Sequence, residues 1–365
     1  MKMKRLLCLL AAVVFVFFLA AGASAKVVIK LSNAGPNNPD NRTVKAVDIF
    51  KAMVEKGTQG EVEVQAFHAS ALGNERESLE GIKMGTIQMG TLSSGPVAGF
   101  FSPVMVMGIP YLFSSAPAAW NAYNGEFGQA FAEAFQKQTG VRILGMTENG
   151  YRHFTNNSRE IKAPQDMRGL KIRTMENPVH MEMVKSLGGA PTPIAFGELY
   201  TALQQKVVDG MECPIVLIHD MKFYEVQKYM SLDGHLYDPL IIFINEEFYQ
   251  KKLTPEQQKR VAEAAKMLAA SHNGFSQQAN IEGLQKLKDK GMVVYQPTPA
   301  DMAQYRELAQ PAALAYLKGQ VGQEWVDRAL AAAKKGEQEV GDKADQIVKD
   351  HIKLANDKYA EWVKK

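Results

Sequence analysis

Residues 168–178 read RGLKIRTMENP, a short strand that runs into a loop. Leu170 and Ile172 alternate with charged residues, which is typical of a half-buried strand. The run breaks at Asn177-Pro178, so Arg173 lies near the end of the strand. Strand ends are where α/β proteins bind ligands. An ordinary surface arginine can occupy the same place, and the stretch by itself is compatible with both.

Strand and helix patterns alternate on either side of this stretch. Asn41 and Asn74 each precede an apolar stripe at helical spacing, as N-capping residues do. This alternation predicts a parallel or mixed sheet that helices cover on both faces. Strands are predicted at 26–33, 61–67, 140–147 and 169–174, and helices at 41–57, from 74 onwards, and near 117–138, 178–187 and 196–207.

The sequence after residue 245 predicts long helices. One begins at Thr254-Pro255, with Gln257 placed as in a capping box. A second begins at Thr298-Pro299, and a third covers 323–364. About 340 residues exceed the usual size of a single core. This length predicts two lobes, and because no linker is evident, the chain is expected to cross between them more than once. The predicted fold class is α/β with two lobes, mixed sheets flanked by helices, and long helices that span the lobes.

Residues 1–25 have the three parts of a secretory signal peptide. A basic start, MKMKR, precedes a long apolar run, and small residues, Ala23-Ser24-Ala25, end the segment. The apolar run is too short, and its flanking residues are of the wrong kind, for a stable membrane span. An uncleaved N-terminal anchor is the alternative. Cleavage near Ala25 would leave a periplasmic chain of residues 26–365.

Charge and cysteine content narrow the function further. Three of the 42 basic residues and none of the 39 acidic ones lie in residues 1–25, so the mature chain has 39 of each. This balance argues against nucleic acid and acidic membranes as main partners, because both require a clear positive excess. Cys213 is the single cysteine after residue 25, so no intrachain disulfide can form.

Motifs for catalysis are missing from the sequence. It contains no HExxH, Walker, GxSxG or GxGxxG pattern, and its histidines do not pair at metal-ligand spacings. We therefore predict no enzyme activity, no metal and no cofactor. Cys213, with His219 six residues on, would need a nearby base to act as a nucleophile. A buried, inert thiol is the alternative.

Two arginines are candidates for binding an anion. Arg152 follows the predicted strand at 140–147, and Arg173 ends the strand at 169–174. The planar guanidinium matches both oxygens of a carboxylate, which lysine cannot do. The two side chains therefore either converge on one ligand or are unrelated surface arginines.

Four longer stretches resemble one protein family. They are ALGNERESLEGIKMGTIQMG (71–90), YRHFTNNSREIKAPQDMRGLKIRT (151–174), PTPIAFGELYTALQQKVVDGMECP (191–214) and FYEVQKYMSLDGHLYDPLIIFIN (223–245). In this order they resemble the substrate-binding proteins of tripartite ATP-independent periplasmic (TRAP) transporters. The resemblance extends from about Asn33 to the C-terminal helices.

The resemblance implies a periplasmic-binding-protein-like fold and a set of ligand contacts. Lobe I would cover roughly 26–148 plus a later segment, and lobe II roughly 149–240 plus C-terminal helices. Arg173 would form the main salt bridge to a ligand carboxylate, and Arg152 the second contact. The remaining candidates that the resemblance implies are Phe196, Asn33, Glu75, Ser93, Cys213, His235 and Tyr237.

Two of these candidates bear on the type of ligand. The family commonly has an asparagine where DGMECP has Cys213, and a thiol is a poor hydrogen-bonding group beside an amide. This difference favours a smaller, less hydroxylated or partly apolar anion over a C4-dicarboxylate or sugar acid, unless water replaces the amide. Glu75 would suit a hydroxyl or ammonium group of the ligand, or it simply favours the helix start that Asn74 caps.

These patterns together predict a receptor for a small organic anion that delivers it to the membrane subunits of a TRAP transporter. The expected receptor is a monomer, and its ligand is a carboxylate, a keto acid, an amino acid or a sulfonate. The alternatives are a receptor for an ABC importer, a module that presents ligand to a sensor, and a periplasmic enzyme that uses Cys213.

Overall fold

The computed structural model describes residues 26–364, so the predicted signal peptide lies outside the described residues. Its strands are β1 (Val27–Asn33), β2 (Val62–Phe67), β3 (Met89–Ser93), β4 (Val141–Asn156), β5 (Lys171–Thr174), β6 (Ala190–Pro193), β7 (Gly210–Pro214), β8 (Tyr229–Asn245) and β9 (Val293–Tyr295). They form one mixed sheet in the order β2-β1-β3-β8-β4-β7-β5-β6, with β9 paired to β8. The expected mixed sheets are thus joined into one.

The first half of the sheet contains the parallel strands β1, β2 and β3. Helix α1 (Arg42–Gly57) connects β1 to β2, and α2 (Glu75–Met84) connects β2 to β3. The side chain of Asn41 accepts hydrogen bonds from the first turn of α1, and Asn74 forms a capping box with Glu77 on α2. Both predicted helix starts are confirmed, because these side chains satisfy free N–H groups of the first turn.

Two long antiparallel strands connect the halves of the sheet. β4 has 16 residues and β8 has 17. One end of β8 pairs with β3 and the other with β9, while the C-terminal end of β4 pairs with β7. The pairing of β4 with β8 shifts register at three places, between Ile143 and Gly145, Glu148 and Gly150, and Arg152 and Phe154.

The strand predicted at 140–147 is longer than expected. It continues to Asn156, so Arg152 lies inside a strand and not after one. The continuation contains Glu148, Asn149 and Arg152, all buried although polar. An alternation of apolar and polar residues cannot reveal such a strand, because its buried positions are filled by hydrogen-bonded polar groups.

Shorter helices cover the sheet between these strands. The helix predicted near 117–138 is two helices that meet at Gly125, and the one predicted at 196–207 is a 3₁₀ turn (Phe196–Glu198) and a single short helix. The helix predicted at 178–187 is confirmed. These elements are α3 (Ser94–Val97), α4 (Ala116–Asn124), α5 (Glu126–Thr139), α6 (Pro178–Ser186), α7 (Leu199–Gln204), α8 (Ile215–Asp220) and α9 (Glu246–Lys252).

Long helices form the C-terminal part, as predicted. They are α10 (Pro255–Asp289), α11 (Pro299–Val321), α12 (Gln323–Val340) and α13 (Ala344–Trp362). The block predicted at 323–364 is therefore divided, and Gly341 has a positive φ at the division. α10 packs against α1 in the first half, against α8 in the second, and along β4 between them.

The chain thus has the predicted fold class: an α/β, two-lobed architecture with a helix that spans both halves. Buried apolar residues form separate clusters within it, one under α1 and α10 and another around β7 and α7. None of the helices among residues 26–364 combines the length and hydropathy that a membrane span needs.

Candidate functional site

A small cavity lies where the two halves of the sheet meet. Its walls come from the ends of β1, β3, β5 and β7, from the middle of β4, and from the first turns of α1 and α2. The lining residues that sequence analysis singled out are Asn33, Glu75, Ser93, Arg152, Arg173, Phe196 and Cys213. The structure therefore brings seven of the nine predicted site residues together.

Arg173 contributes a buried guanidinium to this cavity. Only 2% of the residue is exposed, and its Nε donates a hydrogen bond to the carbonyl of Ile194 at 2.8 Å. Its Nη1 is buried and has no hydrogen-bond partner within the described part of the chain. Burial lowers the pKa of Arg173, although Glu212 acts in the opposite direction. A buried cation with a free N–H group is a strong site for an anion.

Arg152 is buried in the same cavity but already has carboxylate partners. Its Nε and Nη2 both bind the carboxylate of Glu212, with Nη2 at 2.9 Å from Oε1, and Nη1 lies 3.3 Å from Oδ2 of Asp238. Burial alone would lower the pKa of Arg152, but the acidic groups around it, Glu212 foremost, together outweigh burial and raise the pKa. Most of its hydrogen-bonding capacity is thus used within the protein.

A third arginine, Arg42, lines the cavity and was missed by sequence analysis. It is the first residue of α1 and is almost fully buried. Its Nη1 donates to the carbonyl of Asn149 at 2.8 Å and to the hydroxyl of Ser276 at 2.9 Å, and Nη2 donates to Oδ1 of Asn149. An arginine directly after a capping asparagine is expected on the solvent-exposed first turn of a helix. Nothing in the sequence therefore distinguished Arg42 from a surface residue.

The acidic side of the cavity is formed by Glu75. Its carboxylate accepts hydrogen bonds from the backbone N–H of Ser93 at 2.6 Å and from the Ser93 hydroxyl at 2.7 and 2.8 Å. Burial raises the pKa of Glu75, and the bonds from Ser93 oppose this. Ser93 therefore orients the acid, and the cavity contains both this acidic acceptor and the Nη1 donor of Arg173 that has no partner between residues 26 and 364.

Asn33 and Phe196 form further parts of the wall. The Nδ2 of Asn33 donates to the hydroxyl of Thr91 at 2.9 Å, and its Oδ1 accepts from the N–H of Gly35. Both ends of this amide thus serve the local structure. Phe196 packs edge-on against Phe223 and gives an apolar surface.

Cys213 is a buried thiol in the cavity wall. Burial raises its pKa to about 11, so the neutral thiol dominates at physiological pH. It belongs to an apolar cluster with Met211 and Phe223, and Phe196 packs against that cluster. On this side the cavity is apolar, whereas the side with Glu75 and Arg42 is polar.

His235 and Tyr237 do not line the cavity. His235 lies in the segment where the β4–β8 pairing breaks, stacks on Phe154, and has its Nδ1 2.7 Å from Asp233. Burial alone would lower its pKa, but Asp233 and Glu212 raise it to about 9. Tyr237 pairs across the strands with Tyr151 and packs in an aromatic cluster. Alternation along β8 turns its ring away from the side that carries Asp238.

A larger groove lies elsewhere, between α4, α5, α10, α13 and β4. Trp120 and His351 pack together in it, and Lys266 contributes a cation. Among residues 26–364, no buried guanidinium without a partner lines this groove. The smaller, arginine-lined cavity is therefore the candidate binding site.

Comparison with known proteins agrees with this geometry. Residues 34–319 match the family described as bacterial extracellular solute-binding protein, family 7 (DctP). This chain belongs to that family. A solute-binding protein of Verminephrobacter eiseniae is 37% identical over 274 residues, which is 75% of this chain and 81% of the relative.

Solved structures of similar proteins extend the comparison. A TRAP periplasmic solute-binding protein from Polaromonas sp. JS666, bound to D-erythronate, is 36% identical with a TM-score of 0.79 and covers 84% of this chain and 99% of its own. The sugar-acid-binding protein of Advenella mimigardefordensis, in complex with galactonate, is 30% identical with a TM-score of 0.81 and covers 85% and 99%. The predicted resemblance of this chain to the DctP family of TRAP solute-binding proteins is confirmed.

Proposed function

We propose that this DctP-family protein is a receptor that captures a small organic carboxylate and delivers it to a TRAP transporter. The observation that carries the proposal is Arg173, a buried guanidinium whose Nη1 has no hydrogen-bond partner among the described residues. A ligand carboxylate would accept from this group and neutralise its charge. The DctP family consists of solute-binding receptors, and we propose that this member catalyses no reaction of its own.

Binding and delivery follow from the position of the cavity between the halves of the sheet. A ligand that contacts both halves binds the closed arrangement better than an open one, and therefore favours closure. We propose that the protein acts in the periplasm as a monomer and that the closed form is what the membrane subunits recognise. Binding of the ligand to Arg173 and closure of the two halves around it would then be coupled.

Relatives indicate the kind of acid. The Polaromonas relative is bound to D-erythronate and the Advenella relative to galactonate, both hydroxylated monocarboxylates. The cavity of this chain is small, and Cys213 and Phe196 make part of its wall apolar. We therefore propose a short carboxylic acid as the ligand. A sulfonate, a keto acid or an amino acid is the alternative that the same arginine could hold.

The test is a binding screen on the purified mature protein, refolded to remove ligand carried over from expression. A thermal-shift panel of short hydroxy, keto, amino and sugar acids, dicarboxylates and sulfonates, followed by calorimetric titration, should reveal a stabilising carboxylate. Arg173→Ala should weaken its binding by about two to four powers of ten, since the charge of the bound anion would be left buried and unpaired.

Arg168→Ala is the matched control, because Arg168 is an exposed arginine five residues away that does not line the cavity. It should leave the dissociation constant unchanged. Equal affinities for Arg173→Ala and the wild type would contradict the proposal, as would a folded wild-type protein that no acid of the panel stabilises.

A further inference from the structure

The three arginines of the cavity differ in their carboxylate partners. Arg152 forms ion pairs with Glu212 and Asp238. Arg173 and Arg42 form no ion pair with any residue between 26 and 364, and their hydrogen bonds go to carbonyl, amide and hydroxyl oxygens. Arg42 and Arg173 are therefore the two cations of the cavity whose charge the protein leaves unmatched at short range.

Arg42 also has an unused donor. Its Nε is buried and lacks a hydrogen-bond partner in the described part of the chain, just as Nη1 of Arg173 does. A buried N–H group on a cation without an acceptor is costly, and a ligand oxygen would relieve that cost. Arg42 begins α1 in the first half of the fold, whereas Arg173 lies on β5 in the second.

We propose that Arg42, and not Arg152, is the second cationic contact of the ligand, and that it determines specificity for acids with a hydroxyl group close to the carboxylate. This inference rests on the proposed function. Arg173 binds the carboxylate from one half of the fold, and Arg42 donates to the hydroxyl oxygen from the other. The charge of Arg152 is already compensated by its ion pairs with Glu212 and Asp238.

Glu75 explains why the group at Arg42 is a hydroxyl and not a second carboxylate. Its carboxylate lines the same cavity, and within the described part of the chain it accepts hydrogen bonds from Ser93 alone. A second ligand carboxylate would meet this acid and be repelled, whereas a hydroxyl both accepts from a guanidinium and donates to a carboxylate. The predicted ligand class is therefore a short hydroxy monocarboxylic acid.

The experiment compares hydroxy acids with their deoxy counterparts. D-Erythronate is paired with butyrate, and glycerate and lactate with propionate, in calorimetric titrations of the wild type and of Arg42→Gln, Arg42→Lys and Arg173→Ala. Arg42→Gln should weaken hydroxy-acid binding about ten- to a hundredfold, the range for a charge-assisted hydrogen bond. Binding of the deoxy acids should change less than about threefold. Arg173→Ala should weaken both classes.

Arg42→Lys is the control for the possibility that Arg42→Gln does not fold. It keeps a cation near Asn149 and Ser276 but removes the Nε–H group. It should melt close to the wild type and still lose hydroxy-acid affinity. The wild type offers an independent readout: the ¹⁵N–¹H signal of Arg42 Nε, identified by its loss in Arg42→Lys, should shift with a hydroxy acid and stay in place with its deoxy counterpart.

Several outcomes would overturn the inference about Arg42. They are an equal loss of both ligand classes in the Arg42 variants, no loss at all, an unmoved Nε signal in a saturated sample, and a wild type that prefers the deoxy acids. In each of these cases, the proposed function would still stand if Arg173→Ala weakens binding of the acids. A wild type that binds no acid of the whole panel would overturn both.

Discussion

Arg152 and Glu212 form a fully buried ion pair across the antiparallel strands β4 and β7, with two guanidinium nitrogens on one carboxylate. Nη2 of Arg152 also donates to the backbone carbonyl of Glu212 at 2.7 Å. The pair therefore fixes the position of β4 relative to β7 at the wall of the candidate binding cavity. This geometry gives the pair a structural role, in keeping with the proposal that the ligand is bound by Arg173 and Arg42.

Replacing Glu212 should destabilise the fold strongly. Glu212→Gln keeps the shape but removes the charge that compensates Arg152, which should cost about 3–5 kcal/mol in the free energy of unfolding. Urea denaturation at neutral pH measures this. Glu324→Gln is the control, because its pair with Arg328 is exposed to solvent and should contribute little. Similar midpoints for the two variants would rule out the structural role of the buried pair.

Cys213 should be unreactive in the native protein. Its raised pKa of about 11, against 9.0 for an unperturbed thiol, leaves about a hundredfold less thiolate near neutral pH, and burial slows access further. Labelling with a disulfide reagent should therefore be slow in the folded state and fast in urea, and a bound acid should slow it again. Rapid labelling of the native protein would instead indicate an activated thiol and revive the enzyme alternative.

Stability should depend on the titration of Glu148. This buried carboxyl on β4 receives hydrogen bonds from Gln277 and Asn280 of α10 and from Trp120 of α4, and burial raises its pKa from 4.5 to about 7. The folded state thus binds the proton more tightly than the unfolded state does. The stabilisation from this group is full below about pH 4.5 and is lost as the pH rises to about 7.

Glu148→Gln isolates this effect, because the variant cannot titrate. The free energy of unfolding of the wild type minus that of Glu148→Gln should fall by up to about 3 kcal/mol between pH 4.5 and 7.5. Parallel pH profiles of the two proteins, measured by urea denaturation, would mean that Glu148 keeps an ordinary pKa.

The sequence predicted the elements whose signals are local. Asn41 and Asn74 marked helix starts, and the alternation around Arg173 marked a strand that ends at the candidate cavity. Strand β8 was not predicted, because Pro239 and several buried charged residues hide its pattern. Buried charged residues fit a central strand only when other groups form hydrogen bonds or ion pairs with them, and here most of those groups are distant in the sequence.

The candidate site was also predicted only in part, and for the same reason. Seven of the nine candidates line the cavity, largely through the resemblance to a known family. Arg42 was missed since nothing near it in sequence distinguishes it from a surface residue, and its partners Asn149 and Ser276 are more than a hundred residues away. The pairing of Arg152 was equally hidden, because its partner Glu212 comes from a strand that the local pattern did not mark.

The register shifts of β4 have a mechanical consequence. Extended strands are stiff along their length, and a sheet bends most readily where its ladder of hydrogen bonds is interrupted. On β4 the interruptions adjoin Glu148, Gly150 and Arg152, beside the residues that enclose the cavity, and Gly150 has a φ of 121° that other residues rarely adopt. A joint between the lobes at these register shifts would therefore lie directly beside the cavity wall to which Asn149 and Arg152 belong. Bending of the sheet and filling of the cavity would then be coupled at one place, without a relay through the rest of the fold.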